Sequence, residues 1–478
     1  MRKKLRILFI SPEISPFTPS TPLSELSYHL PRIYRNQGHD IRVLAPKYEF
    51  IHDRKYSLRE VNRLRDIPLP YDGKLKFASI KSGFIPNTKV QMYFLEQKEY
   101  LERNGIYGPI NGNELYPDNN ERAVVFARSI IEMMRMLAWQ PEIIHCVGWF
   151  SSLLPFYMRN VYRDDEFYQG SKLVLTVLDP ASTGNYDKDI LFKAGIDPKL
   201  YNPDFDLAFG DGLSFLKGGI LYSDNVAVPG KSSLERMAED FGRWFLEQRN
   251  ANPDKFAEVG LGIDQHTWNP DKDTKLAEVF SHRNLAGRTA NRAKLADKYA
   301  FKGLKDGPIV FCVWDGLNLQ LLNPLIDKLK SLGGALVLYS NISDESSIDE
   351  YVKNHAGYMG RLRVLNSIAL RQLLGGGDII ILPPTRDREL MHLNALKYGA
   401  IPAAYNSGFF ADKLREESDI GFLYDSTDNI MDVMNDIFDK FSDKTGWEKL
   451  QKKAMKQDNS WNKVAKCYLD IYNAISGN

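Results

Sequence analysis

Hydrophobic positions along this chain fall into short continuous runs separated by stretches of helical period. The runs are "LRILFI" (5–10), "DIRVLA" (40–45), "EIIHCV" (142–147), "KLVLTVL" (172–178) and "DNVAVP" (224–229), then "PIVFCVW" (308–314), "ALVLYS" (335–340), "RLRVLN" (361–366), "DIIILPP" (378–384) and "AIPAAYN" (400–406). Runs this short and this rich in β-branched residues and leucine predict strands buried on both faces of a parallel sheet. Helical patterns follow them at 23–38, 120–139, 370–376 and 390–399, the first ending in a glycine suited to a C-terminal cap. The series occurs twice, up to about residue 262 and again from about 308. It predicts two doubly wound, Rossmann-like α/β domains facing a cleft, with ligand at the carboxyl ends of the strands. The expected divisions are 1–262, 263–455 and a terminal segment 456–478. The polar stretch 265–307 is expected to be a largely helical connection. In the tail, Val464, Tyr468, Ile471 and Tyr472 share one helical face, predicting a helix docked on the body. The "GGG" at 375–377 reads as a chain turn and lacks the strand-then-glycine order of a dinucleotide fingerprint.

Length fits this division, since 478 residues exceed one ordinary domain. A net charge of +1 gives no global field to select nucleic acid or an anionic membrane. Three widely spaced cysteines, Cys146, Cys312 and Cys467, outline neither a disulfide framework nor a zinc site, which fits a reducing cytoplasm. The basic start "MRKKLRILFISPEISPF" lacks the apolar length and cleavage site of a signal peptide, and no run reaches the length of a membrane span. Neither a metal nor a cofactor is expected.

Several stretches, in order, resemble bacterial glycogen synthase and plant starch synthase, retaining nucleotide-sugar glucosyltransferases of the GT-B architecture (glycosyltransferase family five). They are "ILFISPEISPF", "QGHDIRVLAPKY", "YPDNNERAVVFAR", "PEIIHCVGWFSSLLPFYMR", "FLKGGILYSDNVAV", "GIDQHTWNPDKD", "DIIILPP", "NALKYGAIPAAYNSGFFAD" and "SWNKVAKCYLDIY". The resemblance spans almost the whole chain and is weakest over 270–375. It implies a site that stabilises negative charge on a departing diphosphate, using loop amides, a helix N-terminus and basic side chains.

At those positions this sequence differs from the family. In "PFTPSTPLSEL", near Glu13, the lysine of the family's glycine loop is replaced by Pro19, and its two glycines by Thr21 and Pro22. Proline offers no N–H, and the close backbone approach of glycine is lost. In "HCVGWF" His145 and Trp149 remain, while the flanking polar groups are Val147, Gly148 and Phe150. The family's His-Asn pair corresponds to Leu178 and Asp179. Its Arg/Lys segment corresponds to "FCVWDGLNLQ", with Cys312 and Leu317 at the basic positions. The sugar-gripping glutamate aligns with Asp387 or Arg386, and Arg388, Glu389 and Leu390 replace a Cys-Gly-Leu turn. Gly408 is kept, with Phe409 after it.

Each candidate has two readings. His145 is a cleft residue or a hydrogen-bonded structural one; Asp179 touches ligand or caps a turn; Arg386 and Arg388 bind an anion or form a self-compensated loop. Losing one charge-stabilising donor costs roughly a hundredfold to a thousandfold in rate, and several are replaced here. The first expectation is therefore a catalytically impaired glycogen synthase-like protein acting as a binding, regulatory or assembly module. Its partners would be a protein or multi-protein assembly, a glucan or a nucleotide-sugar. The alternative is a divergent retaining glycosyltransferase using Asp179, Asp387 and the Arg386/Arg388 pair. A third is a structural subunit whose cleft is filled by Phe150, Leu178 and Phe409.

Overall fold

In the computed structural model, residues 4–110, 114–179, 184–197, 206–314, 318–340, 345–383, 389–417, 419–426 and 430–477 are described. The chain divides into two compact units, 1–260 with 461–478, and 261–460.

The first unit is built on strands β1 (Arg6–Ile10), β2 (Asp40–Pro46), β3 (Lys74–Phe84), β4 (Gln91–Glu96), β5 (Ile143–Val147), β6 (Lys172–Thr176), β7 (Asn225–Val228) and β8 (Phe256–Glu258). Their order in space is β8-β7-β6-β5-β1-β2-β4-β3, with two short strands beside β3. All pairs are parallel except those of β3, which runs antiparallel to β4 and to both short strands. From β1 the chain first winds out through β2 and β4, then returns to lay β5 on the other side of β1. The loops after β1 and β5 therefore flank the point where winding reverses, the usual ligand position in an open α/β sheet. Helix α1 (Pro22–Asn36) follows β1 and helix α2 (Asn119–Leu137) precedes β5. The terminal helix, Trp461–Ile475, packs on α1 and buries Val464, Tyr468 and Tyr472, with Ile471 at its half-buried margin.

The second unit carries helix α3 (Gly287–Lys298), strands β9 (Ile309–Trp314), β10 (Ala335–Ser340) and β11 (Met359–Leu362), helix α4 (Ser367–Gly376), strand β12 (Ile379–Leu382), helix α5 (Glu389–Tyr398), strand β13 (Ile401–Tyr405), helix α6 (Phe409–Glu416), strand β14 (Phe422–Tyr424) and helix α7 (Lys444–Met455). Its sheet runs β11-β10-β9-β12-β13-β14, all parallel. Arg288, buried on α3, donates to the carbonyls of Leu374, Gly377 and Tyr398, tying three turns of the frame together. Burial pulls its guanidinium down to about 10.

Three local expectations are corrected. The connection 265–307 is helical only over Gly287–Lys298. Before it, Asp264, Asn269 and Asp273 each accept a backbone N–H two residues ahead (3.1, 3.2 and 2.9 Å), and such Asx turns compete with helix. The strand expected at 361–366 is shifted to Met359–Leu362, because Asn366 instead caps α4 through the N–H groups of Ile368 and Ala369. Gly375 and Gly376 belong to α4 rather than to a turn. A Cβ on Gly376 would lie 2.6 Å from the Asn291 carbonyl of α3, so small residues are what let the helices touch. The antiparallel β3 and β4 were not foreseen, because lysines punctuate β3 and leave no continuous apolar run.

Candidate functional site

The loop between β1 and α1 closes on itself. The N–H of Glu13 reaches Ser11 Oγ (3.2 Å), that of Ile14 reaches Thr18 Oγ1 (3.0 Å), and that of Ser15 reaches the Ser24 carbonyl (3.1 Å). Phe17 and Thr18 both donate to the Ile14 carbonyl. Pro12, Pro16, Pro19 and Pro22 have no N–H to offer. Thr21 caps α1. Its hydroxyl accepts the Ser24 N–H (3.0 Å), and Ser24 Oγ accepts the Thr21 N–H in return (2.8 Å).

Two carboxylates attend this helix start. The Thr21 hydroxyl donates to Glu13 Oε2 at 2.6 Å, and Ser20 donates to Glu25 at 2.8 Å. Burial pushes Glu25 up, but hydrogen bonds from His29 and Ser20 hold it below the ordinary carboxylate range. Glu13 is buried. Burial raises the phenol of Tyr107 well above its ordinary value, and the charge of Glu13 adds to the rise. The positive end of α1 thus already faces negative charge. A phosphate placed there would be repelled by Glu13 and Glu25 and would find few open N–H groups.

The segment after β5 is apolar. Trp149 is half-buried against Tyr107, Phe150 and Tyr186, with centroids 5.4–6.0 Å apart. Phe150 is fully buried and packs on Phe126 of α2. Arg122, also fully buried, lies over Phe150 and donates to the carbonyls of Tyr100 and Ile106, which organises the segment carrying Tyr107. The "NNER" of the sequence is therefore a frame device.

His145 lies inside β5 with no exposed surface. Its Nδ1 lies 2.6 Å from the Tyr472 hydroxyl and its Nε2 2.7 Å from Thr176 Oγ1, which in turn meets Tyr468 at 2.8 Å. Burial pulls its pKa to about 3, so the ring stays neutral and ties the terminal helix to the sheet. Both ring nitrogens are occupied, and neither points at solvent. The terminal tyrosines that engage it were legible only as an apolar stripe.

Asp179 follows β6, half-buried and engaged with other groups. Gly408 opens α6 with φ 86°, a conformation that favours glycine. Phe409 beside it is half-buried. Arg386, Asp387, Arg388 and Leu317 lie outside the described residues. The loop after β1 brings Glu13 together with Tyr107, and through Tyr107 with Trp149; His145 belongs to a separate buried network. Cys146 and Cys312 are buried, Cys467 half-buried, and all are free thiols. Among the described residues no helix is long and apolar enough to cross a membrane.

Two doubly wound α/β units of this order define a protein of the GT-B class. Residues 6–243 match the family described as the starch synthase catalytic domain. The chain is 26% identical to the glycogen synthase of Chlorobaculum parvum, with all of both chains covered. It is 27% identical to that of Geotalea daltonii, over 98% of this chain and 99% of the relative. Among solved structures it resembles the catalytic domain of starch synthase IV from Arabidopsis thaliana bound to ADP and acarbose, with a TM-score of 0.81, 22% identity and full coverage of both chains. The chain is a glycogen/starch synthase-like protein of glycosyltransferase family five.

Proposed function

We propose that this chain keeps the glycogen/starch synthase frame but does not move glucose by that family's mechanism, and serves as a binding, regulatory or assembly module. The observation that carries this reading is the β1–α1 loop. Most of its amides are spent on the loop itself, its helix start is capped by Thr21 and Ser24, and Glu13 and Glu25 stand where a diphosphate would need positive charge. Catalysis of transfer to a departing phosphate depends on donors aimed at the developing charge. Asp179 and Trp149 of the first unit then bind a glucan, a nucleotide-sugar or a protein partner without turnover.

The second reading is a divergent retaining glycosyltransferase. It is favoured by the full-length similarity to glycogen synthases, which extends through both units. On that reading Asp179 of the first unit, or the second unit's Arg386, Asp387 and Arg388, would contact a nucleotide-sugar.

Incubation with radiolabelled ADP-glucose or UDP-glucose and glycogen separates the two. The module reading predicts no incorporation above a blank and a defined protein or glucan recovered with the chain from its native cell. Time-dependent incorporation into glucan would replace it with the second reading.

A further inference from the structure

In the second unit, the segment leading into α3 and the last turn of α5 enclose a cavity of about 450 Å³. Asn269, Asp271, Ser281, His282, Arg283 and Lys397 line it. Lys397 is half-buried, and burial lowers its pKa, with the charge of Asp458 only partly opposing this. Among the described residues, Lys397, Arg283 and His282 form no ion pair. Several cations elsewhere in the unit are matched, as Lys453 is with Asp419, Lys452 with Glu448 and Arg371 with Asp273. Asp458 is already engaged by the Ser460 N–H and by Gln265. The one carboxylate lining the cavity, Asp271, is exposed.

Leaving a half-buried ammonium unpaired is costly, and an anion beside it would remove that cost. The lining also supplies neutral donors. Ser281 Oγ accepts the Arg283 N–H and keeps its own O–H to give. Asn269 Oδ1 accepts the Asp271 N–H, leaving its amide NH₂ as a donor. Two cationic side chains, Lys397 and Arg283, with the His282 ring and two neutral donors beside them, match a group bearing close to two negative charges and three acceptor oxygens, which is a phosphate monoester near neutral pH. The volume decides between a bare anion and something larger. A water molecule occupies about 30 Å³ of liquid, so the cavity has room for a phosphate and a sugar-sized body.

We propose that this cavity binds the phosphate group of a small phosphorylated compound. The site lies wholly within 261–460 and is independent of what the β1–α1 loop can hold.

Calorimetric titration of the full chain with inorganic phosphate, ribose 5-phosphate and ribose tests the proposal. Saturable binding of at least one phosphate-bearing probe, with none for ribose, is expected. Tighter binding of ribose 5-phosphate supports the ester, whereas equal or tighter binding of inorganic phosphate assigns the site to the free anion and overturns the proposal. Lys397→Gln should weaken binding about tenfold or more, and Arg283→Gln severalfold, in keeping with lost charge-assisted hydrogen bonds. Arg283 is exposed, so its variant carries the test should Lys397→Gln fail to fold. No saturable heat at millimolar probe, or affinity unchanged in the variants, would overturn the proposal.

Discussion

Helices α1 and α6 each start where a parallel strand ends, one in each unit, and they start in opposite ways. Before α1, Thr21 is extended (φ −127°, ψ 164°), closes a capping box with Ser24, and is followed by a proline. Before α6, Gly408 sits at φ 86°, ψ 177°, and brings no side chain to its helix. A helix start on glycine lets a ligand approach the backbone, whereas a hydroxyl cap satisfies the same amides from within. The difference teaches which of the two helix starts already has its amides engaged by side chains. In the first unit the Arg122 and His145 networks hold the frame, and the β1–α1 loop bonds largely to itself.

If frame and loop are separable, variants should sort accordingly. Arg288→Met strips donors from three carbonyls of the second unit and should cost about 4 kcal/mol in its unfolding transition, measured with urea. His145→Phe leaves the hydroxyls of Tyr472 and Thr176 short of a partner and should cost about 3 kcal/mol in the first unit. It should also change the pH dependence. The folded pKa is depressed to about 3, so the unfolded chain binds the extra proton between there and about 6.5. Wild-type stability from this group is complete above about pH 6.5 and falls by ~1.4 kcal/mol per pH unit on acidification, a slope the variant lacks. Gly408→Ala should cost about 2 kcal/mol, because residues with a Cβ avoid that backbone region. Thr21→Ala should cost only about 1 kcal/mol, the usual value of a cap, and should not create nucleotide binding. A Thr21 variant that bound ADP-glucose tightly would show that the cap alone blocks the site and would break the contrast.

The sheet strands were legible because a strand buried on both faces must be apolar throughout, as "IVFCVW" of β9 and "ALVLYS" of β10 are. β3 was not, since its lysines serve solvent and side-chain pairs such as Lys81 with Asp53 and Glu96. The proline-rich loop announced lost N–H groups in the sequence itself. The partnership of Thr21 with Glu13 did not, because a hydroxyl–carboxylate contact eight residues apart leaves no periodic mark. His145 was ambiguous for a similar reason: its partner Tyr472 is 327 residues away, and only folding brings the terminal helix to it.

Hydrogen–deuterium exchange of peptides covering residues 11–25, with and without millimolar ADP-glucose, addresses the β1–α1 loop itself. The account predicts identical exchange in both states, since most of these amides already have partners and the nearby carboxylates repel a diphosphate. Added protection of these amides by ADP-glucose, saturating with concentration, would contradict it.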